Sequence, residues 1–250
     1  MRIRHLAGPS LLLIVWWVAT ALGWVGSDTL PSPASVVDVG VRLADSGELS
    51  RALISSLQRV LLGLGFGVAG GMVIAILAGW SRIGESLLDS TMQVIKAVPS
   101  VALAPLFVVW LGIDEAPKVL LIALSTSMPI YMNTYGAIRN LDVRLVETGR
   151  LLGLGQREIV RHVVVPSTVP AFLVGLRVSM ANAWIALIFA EQINAENGLG
   201  KLMSDARTWL RLDIMMLLLV IYAVLGLSSY SFVRFLERRL LQWRRGFAGT

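Results

Sequence analysis

The chain has 250 residues, of which 56% are hydrophobic and only 15% charged, and its mean hydropathy is +0.72. Soluble proteins average roughly 45–50% apolar and 25% charged residues, so this composition indicates a membrane protein. Because the sequence contains no cysteine, disulfides, thiolate metal sites and thiol nucleophiles are excluded, and redox chemistry is disfavoured.

Six apolar stretches are long enough to cross a bilayer as helices, which takes about 20 apolar residues each. They cover approximately residues 9–26, 57–80, 87–111, 118–137, 170–190 and 212–233. The first is similar to a signal peptide, because Ala19-Thr20-Ala21 resembles a cleavage site. Its apolar part continues to Trp24 and Val25, so we interpret it as an uncleaved anchor. The sequence predicts an all-α, polytopic membrane protein with about six transmembrane helices.

The positive charges indicate how these helices are oriented. Thirteen of the 22 Lys and Arg residues fall in segments on one side of the predicted membrane, and six fall on the other. Lys and Arg are enriched in cytoplasmic loops, so we expect both termini to be cytoplasmic. This topology also accounts for the net charge of +6 and the pI near 10.3, without any nucleic-acid partner.

Two glycine-rich motifs resemble nucleotide-binding sequences, but their context excludes that function. "GFGVAG" at residues 65–70 fits the dinucleotide-binding pattern, but it lies inside a predicted span instead of between a strand and a helix. Gly63, Gly67 and Gly71 recur there every four residues, which predicts close packing against a neighbouring helix. "GLGK" at residues 198–201 is followed by leucine where Ser or Thr would bind magnesium. We therefore expect no ATP site in this chain.

Signatures of membrane enzymes are missing as well. The two histidines, His5 and His162, both fall on the predicted cytoplasmic side, where they cannot form an intramembrane zinc site. Asp89 is the only aspartate near the interior of any span, whereas an intramembrane aspartyl protease needs two facing aspartates. The sequence therefore predicts a non-catalytic protein without a metal or a cofactor of its own.

Four polar residues of the third span are spaced by four, three and four positions, which places them on one helix face: Asp89, Gln93, Lys96 and Ser100. Exposing an ionisable group to lipid costs at least ~2.5 kcal/mol, so these residues are expected to face the protein interior or a wet cavity. Two interpretations stay open. The residues form a seam between helices in which Asp89 neutralises Lys96, or they line a translocation pathway.

Three prolines lie within the third and fourth spans: Pro99, Pro105 and Pro129. Proline leaves backbone groups unpaired near the midplane, which transporters often exploit and purely structural helices also tolerate. In the fifth span, Arg177 and Asn182 are further pathway candidates. Together with the lysine of the third span, Arg177 would give the pathway a positive potential that favours anions.

The stretch "ETGRLLGLGQREIVRHVVVP" at residues 147–166 is charged and broken by glycine, although the chain around it is apolar. Its pattern predicts two short helices with a sharp turn between them. Asn140 or Asp142 is expected to cap the first helix. Gly153 and Gly155 are expected to take the left-handed conformations that end it.

The second of these helices is expected to start at Gln156 and to be limited by Pro166. Its apolar residues lie side by side on the helix surface: Ile159, Val160, Val163 and Val164. This pattern predicts an amphipathic helix at the membrane surface. A helical hairpin held there is accessible to a cytoplasmic partner.

This stretch resembles the E-A-A-x-x-x-G…I-x-L-P loop of permease subunits in bacterial ATP-binding cassette (ABC) importers. Glu147, Gly153 and Pro166 match the pattern, with the same spacing throughout, and Val163 and Val165 stand for its Ile and Leu. Thr148 and Gly149 replace the two alanines of the pattern. In that family the loop forms the coupling helix, which sits in a cleft of the cytoplasmic ATPase. The resemblance implies an ATPase interface formed by Glu147, Thr148, Gly149, Leu152, Gly153, Leu154, Gly155, Arg157 and Pro166.

Other segments are similar to the sulfonate, taurine and nitrate branch of these permeases, and aliphatic sulfonate permeases most of all. They are "LPSP" (30–33), "WLGIDEAPK" (110–118), "PIYMNTYGAIRNLD" (129–142) and "AEQINAENGLG" (190–200). The resemblance implies a type I ABC importer permease fold in the bacterial inner membrane and transport of a small organic anion. It also implies a dimer of permeases, two ATPases that bind ATP and magnesium, and a periplasmic or lipid-anchored binding protein.

On this interpretation the chain has three parts. Residues 1–56 form an N-terminal anchor helix and a periplasmic segment, residues 57–237 form a core of five transmembrane helices, and residues 238–250 form a basic cytoplasmic tail. The coupling loop covers residues 138–169. An external gate or docking face for the binding protein is expected where the turn-forming pair Asn197-Gly198 follows the fifth span. The residues predicted for it are Glu191, Asn197 and Gly198.

An ion-coupled secondary transporter is the alternative from another class of protein. It would need intramembrane carboxylates as proton relays and commonly inverted repeats. The sequence shows only Asp89 at depth and no obvious repeat between its halves. Within the same family, nitrate or another small solute is an alternative substrate.

Overall fold

The computed structural model describes residues 3–26 and 29–243, and these residues form helices without any strand. The prediction of an all-α protein is therefore confirmed. The α-helices of this part of the chain are α1 (Ile3–Ala21), α2 (Pro33–Asp45), α3 (Glu48–Trp80), α4 (Arg82–Gly84), α5 (Ser90–Ala97), α6 (Ala104–Leu111), α7 (Glu115–Arg139), α8 (Val143–Leu151), α9 (Gln156–Ile159), α10 (Val165–Asn194), α11 (Leu199–Thr208) and α12 (Leu212–Leu240). Residues 244–250 of the predicted basic tail lie outside the described residues, as do the first two residues.

Three described helices are long and apolar enough to cross a membrane: Glu48–Gly79, Gln156–Ile193 and Leu212–Leu240. A fourth span results if the bent pair Glu85–Ala97 and Ser100–Leu111 is counted as one. These four contain the second, fifth, sixth and third predicted spans. The first predicted span corresponds to α1, whose described apolar part, Ser10–Ala21, is shorter. The fourth corresponds to α7, which has 25 residues but is more polar.

The polarity of α7 follows from its position among other helices. Nine of its residues are buried, and they include Lys118, Ser125, Thr126 and Thr134. The side chains of Lys118, Ser125 and Thr126 form hydrogen bonds inside the protein: the Thr126 hydroxyl, for example, donates to the carbonyl of Ile122 at 2.8 Å. A helix surrounded by protein does not need an apolar surface towards lipid, so its hydropathy is low for a membrane helix.

The glycines of α3 pack against α7 as predicted. A Cβ atom added at Gly67 would lie 1.9 Å from the Thr126 hydroxyl oxygen and 2.6 Å from the carbonyl oxygen of Ala123. Added Cβ atoms at Gly63 and at Gly71 would each lie 2.5 Å from the nearest atom of α7. Only glycine allows the two backbones to approach so closely. The four-residue glycine repeat is therefore the contact surface between α3 and α7.

The third predicted span is not one straight helix. It is assembled from a π-helical turn (Glu85–Asp89), α5, a 3-10 turn (Ser100–Leu103) and α6. The two halves meet at an angle of 84°. Val98 is extended at φ −89° and ψ 121°, because the residue before a proline is excluded from the α region. The predicted continuous polar face is therefore wrong beyond Lys96, since Ser100 follows the break.

The chain divides into two compact units. One comprises Met1–Leu57 and Asn194–Val224, and the other comprises Gln58–Ile193 and Leu225–Thr250. Inside the first unit, the backbone N–H of Leu199 donates to the Ser56 hydroxyl at 2.9 Å. The second unit contains the broken helix, α7, the hairpin of α8 and α9, and α10. All the coupling and pathway residues predicted from the sequence belong to this second unit.

Candidate functional site

The predicted hairpin is present and its turn is tightly determined. Asp142 caps α8 by accepting from the backbone N–H of Arg144 at 2.9 Å. At the other end of α8, Gly153 has φ +82°. Its N–H donates to the carbonyl of Arg150 at 2.9 Å, and the N–H of Leu154 donates to that of Gly149 at 3.0 Å. This pair of bonds is the Schellman motif, which requires a left-handed residue at Gly153.

Gly155 does not take the predicted left-handed conformation. Its φ of −70° and ψ of 167° are extended, and it caps α9 instead of ending α8. Its N–H donates to the Glu158 carboxylate at 2.8 Å. Gly153 alone reverses the chain, so the second glycine is free to serve as the cap of the next helix. The predicted start of that helix at Gln156 is confirmed.

Pro166 does not limit the second helix. The chain continues from α9 through a π-helical turn (Val160–Val164) into α10, and together they form one helical segment, Gln156–Ile193. In a regular helix the proline ring would clash with the carbonyl four residues earlier. The wider π turn directly before Pro166 relieves that clash. The hairpin is therefore joined to the membrane helix without an interruption.

Gly149 lies where the two arms of the hairpin meet. It is buried, and an added Cβ would lie 3.5 Å from Leu154, 3.6 Å from Ile159 and 3.7 Å from Val163. These are ordinary van der Waals distances, so an alanine would fit at the position where the family pattern has one. The apolar face predicted for the second helix therefore packs against α8.

The tip of the hairpin is exposed and apolar. Leu151 is 88% exposed and Leu152 is 75% exposed. Glu147, Thr148 and Arg157 are exposed too. Glu147 has no hydrogen bond or ion pair of its side chain to any residue in the described part of the chain. Exposed leucines on a rigid turn beside an unpaired carboxylate form a surface suited to a protein partner. Of the two leucines, the sequence analysis identified only Leu152.

Along the third span, the polar residues have separate partners. Asp89 accepts a hydrogen bond from the Tyr131 hydroxyl at 2.7 Å and does not pair with Lys96. Of the seam interpretation, the neutralisation of Lys96 by Asp89 is therefore not supported. Gln93 and Lys96 are exposed, and Lys96 has no ion pair within residues 3–26 and 29–243. The seam that Asp89 forms is with α7.

A ladder of side chains extends this seam by one helical turn. Tyr135 donates to Glu85 at 3.2 Å, and Arg139 forms an ion pair with the same carboxylate at 2.5 Å. The rings of Tyr131 and Tyr135 are stacked with centroids 5.4 Å apart. The start of the broken helix is thus fixed to the end of α7.

At the break itself, Ser100, Ser125, Lys96 and Asn182 line one cavity of about 170 Å³. The hydroxyls of Ser100 and Ser125 are 2.8 Å apart. Pro129 has no N–H to bond the carbonyl of Ser125 four residues earlier, and Asn182 of α10 approaches this carbonyl with its amide nitrogen at 3.5 Å. Three of the predicted pathway residues, Lys96, Ser100 and Asn182, are therefore brought together.

Arg177 lies apart from this cavity. Its guanidinium forms an ion pair with Glu237 at 2.5 Å and stacks over the ring of Tyr230 at 5.3 Å. Its charge is thus balanced inside the contact between α10 and α12. This geometry does not support the expectation that Arg177 adds positive potential to the pathway.

A cluster of charged residues that the sequence analysis did not identify as a group ties three helices together. Arg59 of α3 donates to both oxygens of Glu115 at 2.6 and 2.8 Å, and to Glu191 of α10 at 2.6 Å. Lys118 also donates to Glu115, at 3.1 Å. Arg59 is 6% exposed and Glu191 is fully buried. We call these four residues the Arg59 cluster. An arginine inside an otherwise apolar span was the signal that could have revealed it.

The predicted external gate residues differ in exposure. Glu191 is buried in the Arg59 cluster, so its side chain is not available to a docked protein. Asn197 is exposed. Gly198 is buried, has φ +139° and precedes α11. The chain bends at residues 196–198, whereas direct docking through Glu191 is not supported.

No group of three or more metal-ligating side chains occurs in the described part of the chain. Its chemistry is that of a helical membrane protein with a broken span, a polar cavity at the break, and an exposed hairpin continuous with a spanning helix. Such an arrangement is typical of the membrane-spanning subunit of a transporter.

The comparisons with known proteins identify the family. Residues 67–242 match the inner membrane component of binding-protein-dependent transport systems, and the chain belongs to this family. It is a permease subunit of an ABC importer. The sequence is 38% identical to the aliphatic sulfonates transport permease protein SsuC of Bacillus subtilis, over 96% of this chain and 87% of that protein. It is 39% identical to SsuC of Escherichia coli, over 96% and 91%.

A more distant relative is the taurine transport system permease protein TauC of Escherichia coli, 29% identical over 94% of this chain and 87% of that protein. Among solved structures, an amino acid ABC transporter crystallised with histidines has a TM-score of 0.66 at 19% identity, covering 80% of this chain and 97% of that one. The inward-facing methionine ABC transporter MetNI has a TM-score of 0.58 at 16% identity, covering 74% and 94%. The predicted type I importer permease fold is confirmed.

Proposed function

We propose that this permease subunit carries a small organic anion, such as an aliphatic sulfonate or taurine, through the bacterial inner membrane. The names of the relatives from Bacillus subtilis and Escherichia coli support this substrate class. A family that depends on binding proteins favours an importer over an ion-coupled carrier. In this proposal both termini are cytoplasmic, and a separate binding protein delivers the solute to the outer face.

The hairpin of α8 and α9 is the joint to a cytoplasmic ATPase. The observation that carries this assignment is the exposed Leu151-Leu152 tip on a turn fixed by the Schellman motif. The leucines would enter an apolar cleft, and Glu147 would pair with a basic group of the ATPase. ATP and magnesium act on that partner, and this chain binds neither.

The motion of the ATPase reaches the pathway along one helix. From Gln156 to Asn182, the helical segment advances about 39 Å at ~1.5 Å per residue. No break separates the two residues. When two ATPases close on ATP, two hairpins in a permease homodimer would move together and tilt α10 against its neighbours, which alternates access between the two sides.

The test is a pair of substitutions at the tip, Leu151→Ser and Leu152→Ser, with Ile113→Ser as the matched control. Ile113 is also largely exposed, at 73%, but lies in the loop between α6 and α7. We expect the tip variants to lose co-purification of the ATPase and the stimulation of its ATP hydrolysis by loaded binding protein. The control keeps both. Full association and stimulation in the double tip variant would refute the assignment.

A further inference from the structure

The cavity at the broken helix has a composition that indicates an anion. Its polar wall is formed by Lys96, Ser100, Ser125 and Asn182, and none of the described residues that line it is acidic. Asp89, one of the nearer carboxylates along the chain, is already bonded to Tyr131. The wall therefore carries one formal positive charge without a compensating negative charge.

The hydrogen-bond donors of this wall are only partly used by acceptors within the protein. The Lys96 ammonium has three N–H donors and no ion pair in the described part of the chain. When the hydroxyls of Ser100 and Ser125 bond to each other at 2.8 Å, one donates and the other keeps its hydrogen for a ligand. The Asn182 amide touches the carbonyl of Ser125 only at 3.5 Å, which is long for a hydrogen bond.

Backbone geometry keeps these groups together. Ser100 stands directly after the break that Pro99 imposes, and Ser125 is 8% exposed on the buried face of α7. Asn182 comes from α10, the helix that is continuous with the hairpin. The cavity therefore lies between the broken helix, α7 and α10, and α10 is the helix that the ATPase would move.

We infer that this cavity holds the oxyanion head group of the transported solute, a sulfonate in particular; the inference rests on the proposed function and assigns the substrate contact within it. A sulfonate has one negative charge and three acceptor oxygens but no donor, which matches a wall of one ammonium, a hydroxyl hydrogen and an amide. A volume of about 170 Å³ is the room of roughly five or six waters at ~30 Å³ each. It accommodates a head group with a short chain.

The test measures binding of radiolabelled ethanesulfonate to the permease–ATPase complex in lipid nanodiscs, without binding protein. The wild type should bind it saturably. Lys96→Gln should weaken binding about tenfold or more, because a charge-assisted hydrogen bond is lost, and Ser125→Ala should weaken it about three- to tenfold. Lys96→Arg should retain binding. Lys96 is exposed, so its replacement does not threaten folding.

Two matched controls use the same chemical changes elsewhere. Lys201→Gln removes a lysine of α11 that pairs with Asp205. Ser127→Ala removes a hydroxyl of α7 that donates to the carbonyl of Leu124 in the same helix. Both should bind ethanesulfonate within about twofold of the wild type, a difference of roughly 0.4 kcal/mol. Neutral dimethyl sulfone should not compete, whereas nitrate should.

Saturable binding that is lost in Lys96→Gln and Ser125→Ala but kept in both controls supports the inference. No saturable binding up to about 10 mM, equal affinity in all variants, or displacement by dimethyl sulfone overturns it. ATP hydrolysis stimulated by loaded binding protein is recorded on the same samples. If that stimulation is normal while ethanesulfonate does not bind, the assignment of the cavity is refuted, and the proposed function as an importer permease is retained. If the ATPase does not associate, the proposed function fails, and binding is then judged on the permease alone.

Discussion

Replacing Arg59 by methionine should destabilise the permease more than any other single change in the Arg59 cluster. The hydrogen bonds of the guanidinium include two short ones to Glu115 and one to Glu191, and its side chain is only 8% exposed. Methionine fills similar space but supplies no charge. Glu191, which is fully buried, then loses the cation that compensates its carboxylate.

The magnitude follows from burial. Removing one partner of a buried ion pair typically costs about 3–5 kcal/mol, because the other charge stays buried without it. Glu115 is 54% exposed, so solvent screens it, and Glu115→Gln should cost only about 1 kcal/mol. A chain of this size loses roughly 2–4 °C in its unfolding midpoint per kcal/mol. Arg59→Met should therefore lower the midpoint on the order of 10 °C.

The assay is thermal unfolding of the purified permease in detergent, completed as a double-mutant cycle. Replacing both members of a buried pair by apolar residues is often neutral, so Arg59→Met with Glu191→Met should be more stable than Arg59→Met alone. The two changes should deviate from additivity by about 2 kcal/mol. If their effects simply add, or if Glu115→Gln is as harmful as Arg59→Met, the reasoning from burial is refuted.

Three further predictions concern glycines and the hairpin. Gly67→Ala should abolish folded yield in membranes, because its Cβ would meet the backbone of α7, whereas Gly65→Ala, whose Cβ meets nothing within 4 Å, should express normally. Gly153→Val should strain a left-handed turn by about 1–3 kcal/mol, so that loaded binding protein no longer stimulates the partner ATPase. Complexes with Gly155→Ala, at an extended position, should show the stimulated ATP hydrolysis of the wild type. Glu147→Lys should weaken co-purification of the ATPase, and Gly149→Ala should leave it unchanged, since the added methyl meets only van der Waals contacts; normal association in E147K would remove Glu147 from the interface.

The sequence predicted features that depend on local patterns. The cap at Asp142, the reversal at Gly153 and the start of α9 are set by a few neighbouring residues, and each was anticipated. The glycine repeat of α3 also has a purely local period. Gly155 was misread because only one left-handed residue is needed to reverse the chain, and the sequence does not show which of two glycines takes it.

Features that depend on distant residues were missed. The Arg59 cluster joins residues 56 and 132 positions apart, and no local pattern connects them. One of the two open interpretations paired Lys96 with Asp89 because they share a helix face, but in the structure Asp89 accepts a hydrogen bond from Tyr131 of another helix. Helical periodicity gives the face of a residue, whereas its partner is chosen by the packing of other helices.

The cavity at the broken helix depends on both local sequence patterns and the packing of distant residues. Pro99 and Pro129 each disturb a helix, and the sequence predicts both disturbances. Pro99 breaks the third span, and Pro129 leaves the carbonyl of Ser125 without an N–H donor. The polar cavity forms because these two places lie next to each other. Asn182 lies beside that carbonyl and belongs to the helix that continues to the hairpin. Any shift of α10 therefore changes the distance of 3.5 Å between Asn182 and the carbonyl of Ser125. In the mechanism that we propose, a tilt of the hairpin would therefore open or close the polar wall directly, without an intermediate segment.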